Sequence, residues 1–169
     1  MSRLNPAKPF LKWAGGKRQL LPFLREHLPV EFGTYHEPFI GGGALFFDTA
    51  PEQAVIADYN LRLVRTYRAV RDNPDAVIER LKNYPNDKEF FLALRAQDID
   101  CASDDELAAW MIYLNRTGFN GLYRVNRKGG FNVPFGRYKN PKICDADNLY
   151  GVAKRLESVE ILHADFRSV

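Results

Sequence analysis

The chain of 169 residues is 46% hydrophobic and 13% aromatic, enough for one compact domain, or one domain with an inserted lobe, and too apolar for a disordered chain. No apolar run approaches the ~20 residues that span a bilayer, residues 1–10 lack the apolar core of a secretory leader, and Cys101 and Cys144 form no metal or disulfide pattern, so a reducing cytoplasmic setting without a membrane partner is expected. The net charge of +3 is small but segregated, with six basic and no acidic residues in 1–25 and seven basic and no acidic residues in 115–143, which suits a polyanionic partner.

Taken in chain order, residues 17–28 read as a helix with Leu20, Leu21, Leu24 and Leu28 on one side and Pro22 in its first turn. Residues 35–40 read as a strand ending at Gly41, and 54–57 as a second strand ending at Asp58. Residues 60–71 are helical, with Leu61, Val64 and Tyr67 on the buried stripe, and further helices follow at 74–81, 88–96 and 103–114. Ser103 with Glu106 fits a capping box. The Gly-rich stretch 115–142 breaks the helical pattern and holds a hairpin near Lys128-Gly129-Gly130; a helix capped by Asp145 or Asp147 then runs to Leu156, and 159–162 is a returning strand. This order describes an α/β domain whose sheet part comprises residues 1–60 and 146–169, with 61–145 inserted as a mainly helical lobe. Three strands leave a doubly wound sheet incomplete.

Glu37-Pro38-Phe39-Ile40-Gly41-Gly42-Gly43-Ala44 is a strand entering a glycine turn and a new helix, a place where the backbone must turn sharply and let a ligand approach. Phe46 stands where a dinucleotide motif needs its third glycine, so no pyrophosphate cradle is implied. Asp58, at the end of the next strand, can grip ribose hydroxyls or cap the helix that follows. In Phe10-Leu11-Lys12-Trp13-Ala14-Gly15-Gly16-Lys17 the paired glycines let the chain fold over a small ligand. Trp13 could stack on a planar or cationic group, or serve as a core residue, and Lys17 could pair with a carboxylate. In the second basic segment, Phe119, Tyr123, Phe131, Phe135 and Tyr138 alternate with arginine and lysine, a mixture that favours nucleic acid over a merely solvated face.

These strings, with Ala57-Asp58-Tyr59-Asn60, Leu114 to Arg124 and Phe131 to Tyr138, resemble in order and over nearly the whole chain a Dam-type DNA adenine-N6 methyltransferase. The resemblance implies a Rossmann-like methyltransferase sheet, incomplete here, with an inserted target-recognition lobe. It implies S-adenosylmethionine as cofactor, held by Trp13, Lys17 and Asp58 over the turn containing Phe39, Gly41 and Gly43, with Asp165 and Phe166 as a further cofactor-side element. It implies double-stranded DNA containing GATC as partner. Lys12 corresponds to a guanine contact, Phe119 and Asn120 to the pair that opens the duplex beside the target adenine, and Leu122, Arg124 and Pro134 to base readers. Arg137, like Arg116 in the same basic segment, is expected near the bases or backbone. Arginine can bond guanine bidentately and an apolar side chain can sense the thymine methyl, although at Arg124 and Arg137 phosphate binding alone stays open, as do loop-anchoring contacts at Phe119 and Leu122.

The family's Asp-Pro-Pro-Tyr, which clamps the adenine amino group, does not occur in these residues. The chain alone is therefore expected to be inactive, and its unpaired sheet edge is expected to leave it poorly folded or associated with a complementary C-terminal fragment or with itself. The alternative is a non-catalytic module or relic that binds double-stranded DNA through the same loop.

Overall fold

Three short runs form the sheet, two of them built on small or branched aliphatic residues and the first on Tyr35, His36 and Glu37. In the computed structural model, which describes residues 7–169, β1 (Tyr35–Glu37), β2 (Ala54–Asp58) and β3 (Val159–His163) are parallel in the order β1-β2-β3. Tyr35 stands opposite Ala54, and Ala54 opposite Val159, so all three strands end at the same side. Ala54, Ile56 and Ala57 of the central strand are buried, as parallel strands covered on both faces require. β1 stops at Glu37, short of the expected Ile40, because Pro38 has no N–H for the ladder. Ile40 still donates to the Ala57 carbonyl at 2.9 Å, which draws the glycine turn back against β2.

The helices are α1 (Leu21–His27), α2 (Ala44–Thr49), α3 (Leu61–Asp72), α4 (Pro74–Lys82), α5 (Lys88–Arg95), α6 (Asp104–Thr117) and α7 (Ala146–Leu156). Local chemistry sets several starts: the side chains of Asn60, Asn73 and Asp87 accept from the backbone of Leu63, Ala76 and Phe90. Ser103 makes no side-chain capping bond, so the expected capping box is not formed. Asp104, Asp105 and Glu106 fill the first turn of α6 instead, where acids suit the helix dipole, and Asp104 and Asp105 are held by Arg65 and Arg80 at 2.6 Å each. Asp145 likewise makes no side-chain cap on α7, because its carboxylate pairs with Lys142 at 2.7 Å.

α6 is buried along Leu107 to Leu114, the mark of a core helix. The Trp110 indole donates to the Leu94 carbonyl at 2.9 Å and the Tyr113 hydroxyl to that of Pro85 at 2.8 Å. One continuous apolar core runs from Ile56 and Ile161 of the sheet through α3 to α6. Arg68 and Arg71 of α3 donate to the carbonyls of Ile161 and Val159, which occupies backbone acceptors of β3, one of the two edge strands. β1 forms the other edge.

Two expectations about helix faces are corrected. The segment 17–28 is a 3₁₀ turn (Lys17–Leu20) followed by α1, with Pro22 in the first turn as expected, and none of its residues is buried. Leu20 is exposed and Leu21, Leu24 and Leu28 are half-buried. Of these, Leu28 lines an apolar hollow of ≈ 390 Å³ with Phe32, Phe39 and Leu45 beside β1. In α3, Val64 and Tyr67 are buried but Leu61 is exposed, because at ~100° per residue it lies on the far side from Leu63. Arg3 of the N-terminal basic run lies outside the described residues.

This helix phase makes opposite forecasts for two leucines of α3. Urea unfolding of Leu63→Ala should show a loss of about 2–5 kcal/mol, whereas Leu61→Ser should change stability by no more than about 0.5 kcal/mol. Equal losses would contradict the phase.

Candidate functional site

The loop of residues 10–17 crosses the strand ends and closes a cavity of ≈ 420 Å³ lined by Trp13, Lys17, Phe39, Gly41, Gly43 and Asp58, among others. Six of the residues predicted from sequence thus line one space. Gly41 has φ +49°, and a Cβ there would sit 2.8 Å from Cδ1 of Trp13. Any other residue would strain the turn and push the indole away. Tyr67, buried in α3, donates its hydroxyl to the Gly41 carbonyl at 3.0 Å and ties the turn to the core.

Asp58 does not cap α3, a duty that falls to Asn60. Its Oδ2 accepts from the Gly41 N–H at 3.1 Å and its Oδ1 from the Asn60 N–H at 3.0 Å. Each carboxylate oxygen keeps a further lone pair for a hydroxyl donor in the cavity.

Lys17 lies at the opposite wall. Its ammonium donates to Glu37 Oε1 at 2.8 Å and to the Phe39 carbonyl at 3.0 Å, and one N–H remains. Glu37 is buried, and its other oxygen accepts from the Tyr35 hydroxyl at 2.7 Å. Burial and this carboxylate raise the tyrosine pKa well above its ordinary value. Glu37 went unnoticed in the sequence as a member of the site. The available signal was an acid one strand-repeat from a tyrosine, followed directly by the glycine turn.

Phe39 is exposed and its ring lies 5.4 Å from that of Phe166, so the last turn of the chain approaches the cavity rim through this pair. Asp165 does not line the cavity; its carboxylate pairs with Arg167 at 2.8 Å and accepts from the Arg167 N–H.

The second group of predicted residues clusters around the end of α6. Buried Asn115 accepts from the Lys12 N–H at 2.8 Å and donates to the carbonyls of Lys12 and Gly121, both at 2.8 Å. Gly121, at φ +63°, lies against the Lys12 stem so closely that a Cβ would meet Cβ of Lys12 at 2.9 Å. The Lys12 ammonium lies 5.3 Å from the Tyr138 ring centre. Phe119 and Asn120 form the exposed tip of the next turn, Asn120 at φ 54°, and the Phe119 N–H bonds the Pro134 carbonyl at 2.9 Å.

The expected hairpin is present. Val125 bridges Phe131, and Asn126 accepts from Lys128 and Gly130 at its tip. Arg124 and Pro134 are exposed and Leu122 half-buried, and the Arg124 guanidinium rests on Asn132 at 2.7 Å. Arg137 is exposed beside Pro134 in a shallow groove. Arg116 stands apart: half-buried, it donates to the Phe10 carbonyl at 2.8 Å, and burial lowers its pKa.

Together these form a polar cavity for a small ligand, within the ~300–1,000 Å³ of ligand pockets, beside a basic rim that exposes aromatic and arginine side chains. Residues 13–169 match the D12 class N6 adenine-specific DNA methyltransferase family. The chain is 50% identical over 167 residues to the Type II methyltransferase M1.LlaDCHI of Lactococcus lactis subsp. cremoris, covering 94% of this chain and 59% of the relative. It is 44% identical over 183 residues to the Type II methyltransferase M.MjaIII of Methanocaldococcus jannaschii, covering 96% and 63%. It is 44% identical over 144 residues to a DNA adenine methylase of Vibrio cholerae, covering 82% and 51%. The chain thus spans between half and two thirds of the length of these relatives. The three-stranded parallel sheet is consistent with an incomplete Rossmann-like methyltransferase fold.

Replacing Glu37 by leucine should strand the Tyr35 hydroxyl and leave the Lys17 ammonium with the Phe39 carbonyl and solvent. A loss of about 1–3 kcal/mol in denaturant unfolding is expected. Unchanged stability would show that the buried carboxylate does not organise this wall.

Proposed function

Because the chain belongs to the D12 class of N6 adenine-specific DNA methyltransferases, we propose that these residues are the donor-binding and target-reading portion of a site-specific enzyme acting on adenine in GATC. The observation that carries this reading is the adjacency of the two groups: Lys12 and Trp13, neighbours in one loop, belong respectively to the basic rim and to the polar cavity.

S-adenosylmethionine fits the residues around the cavity. Gly41 and Gly42 let the covering loop close down on the turn, since a Cβ on either would lie within 3 Å of Trp13 or Leu11. Asp58 offers lone pairs to ribose hydroxyls, Lys17 a remaining N–H to the amino-acid carboxylate, and Trp13, Phe39 and Gly43 the walls. When bound, this cofactor supplies an electrophilic methyl group. Phe166 contributes by backing Phe39, and Asp165 by fixing the turn that carries Phe166.

On the DNA side, Lys12, Leu122, Arg124 and Pro134 read base edges, and Phe119 with Asn120 enters the stack beside the displaced adenine, which repays part of the lost stacking. Arg124 changes rotamer from Asn132 to guanine on binding. Arg137 contacts bases or phosphates. Arg116 acts indirectly, by holding Phe10 and with it the loop bearing Lys12. Residues 61–145 serve as the recognition lobe and residues 1–60 and 146–169 as the sheet part. The site of action is the cytoplasm, at the nucleoid.

Asp-Pro-Pro-Tyr is absent from these 169 residues, and without an acceptor clamp the adenine lone pair is not held in line with the methyl group. The 169 residues alone are therefore inactive, and a segment bearing that clamp completes the site. Among the described residues β1 pairs on one side only, and this edge with the apolar hollow beside it supports association with such a segment or with a second copy. The same absence favours a second reading, a non-catalytic module that binds double-stranded DNA.

Purified chain with labelled S-adenosylmethionine and a GATC duplex should give no adenine methylation, while binding the cofactor. Asp58→Ala should weaken that binding by about tenfold or more. Incorporation of label would overturn the inactivity, and full-strength binding by the variant would remove Asp58 from the site. A duplex with GATC scrambled should bind more weakly, and equal affinity for both would favour the non-specific module.

A further inference from the structure

Trp13 meets two parts of the molecule. Gly41 of the cavity turn packs against its pyrrole ring, and the ring of Tyr123 stacks on it at 5.1 Å with an interplanar angle of 19°. Tyr123 lies between Leu122 and Arg124, both proposed above as base readers, and packs edge-on against Phe131 across the hairpin at 5.8 Å. The far end of the hairpin is also tethered. Arg62 of α3 donates to the Gly129 carbonyl at 2.8 Å while its guanidinium holds Asp100 at 2.6 Å. α3 follows directly from Asp58, whose carboxylate accepts from the Asn60 N–H. The hairpin therefore touches a wall of the cavity at one point and, at another, the helix that begins beneath it.

We propose that Tyr123 is a positioning residue, which through its stack on Trp13 makes donor binding and DNA binding reinforce one another. The inference rests on the functional reading above and adds to it a coupling that neither site alone implies. Trp13 is half-buried and one side of it lines the cavity. A duplex that seats Leu122 and Arg124 also fixes Tyr123, and a fixed Tyr123 holds the indole in the position that closes the cavity. The ordering cost of donor binding is then already met, and by linkage the donor must tighten DNA binding by the same factor. An aromatic stack sets the scale of that factor at about 3- to 10-fold.

Calorimetric titration of the 169-residue chain with sinefungin, a non-reactive analogue of the donor, tests this when run with and without a short duplex bearing one GATC. The wild-type chain should bind sinefungin about 3- to 10-fold more tightly with duplex present, and Tyr123→Phe, which keeps the stack, should retain that factor. Tyr123→Ala should bind each ligand alone and show no coupling. Coupling that survives Tyr123→Ala, or vanishes in Tyr123→Phe, would overturn the proposal. So would a Tyr123→Ala chain that binds neither ligand, since Tyr123 would then be part of a binding surface or of the fold. Wild-type chain that binds both ligands independently overturns this inference and leaves the functional reading standing. Wild-type chain that binds neither overturns both.

Discussion

Three hydrogen bonds from one side-chain amide hold the functional parts together. Asn115, buried at the end of α6, fastens Lys12 from both its backbone N–H and its carbonyl and also fastens the carbonyl of Gly121. Lys12 precedes Trp13, which walls the cavity, and Gly121 follows the exposed turn of Phe119 and Asn120. A single buried group therefore sets the distance between the polar cavity and the exposed turn of Phe119 and Asn120. Buried amides with all partners satisfied are rigid, and a missing partner leaves a stranded donor or acceptor.

Charge is divided between structural and exposed duties. Arg62, Arg65, Arg68 and Arg71 on α3 bind aspartates and strand carbonyls within the protein, and Arg116 binds the Phe10 carbonyl. Arg124, Arg127, Lys128, Arg137 and Lys139 are exposed along the hairpin and the segment after it. The modest net charge of +3 conceals this division. What matters for a polyanion is the cluster on one rim, since exposed charges beyond ~8–10 Å are screened at physiological salt.

Where a feature depends on neighbours in sequence, it was legible. Asp58 at the end of β2 and the hairpin around Gly129 follow from local propensity, and α3 to α7 lie close to their expected bounds. The glycine turn and the aromatic–basic loop also declared themselves. Features made by distant partners did not. Glu37 looks like an ordinary strand acid until Lys17 folds over it, and Tyr123 looks like one more aromatic of the basic loop until Trp13 arrives from the other end of the chain. Ser103 and Asp145 carry the residue types of caps, but one makes no capping bond and the other is taken by Lys142. Leu61 and the leucines of α1 were placed by periodicity, which gives the apolar side of a helix without saying whether another element covers it.

Hydrogen exchange read by mass spectrometry on the 169-residue chain tests the central claim most directly, since it locates each ligand on the backbone without requiring catalysis. With sinefungin, amides of residues 13–17 and 39–43 should slow, and with a GATC duplex those of 119–137 should slow. Protection by either ligand that falls outside these segments would contradict a donor cavity and a reading loop joined at Asn115.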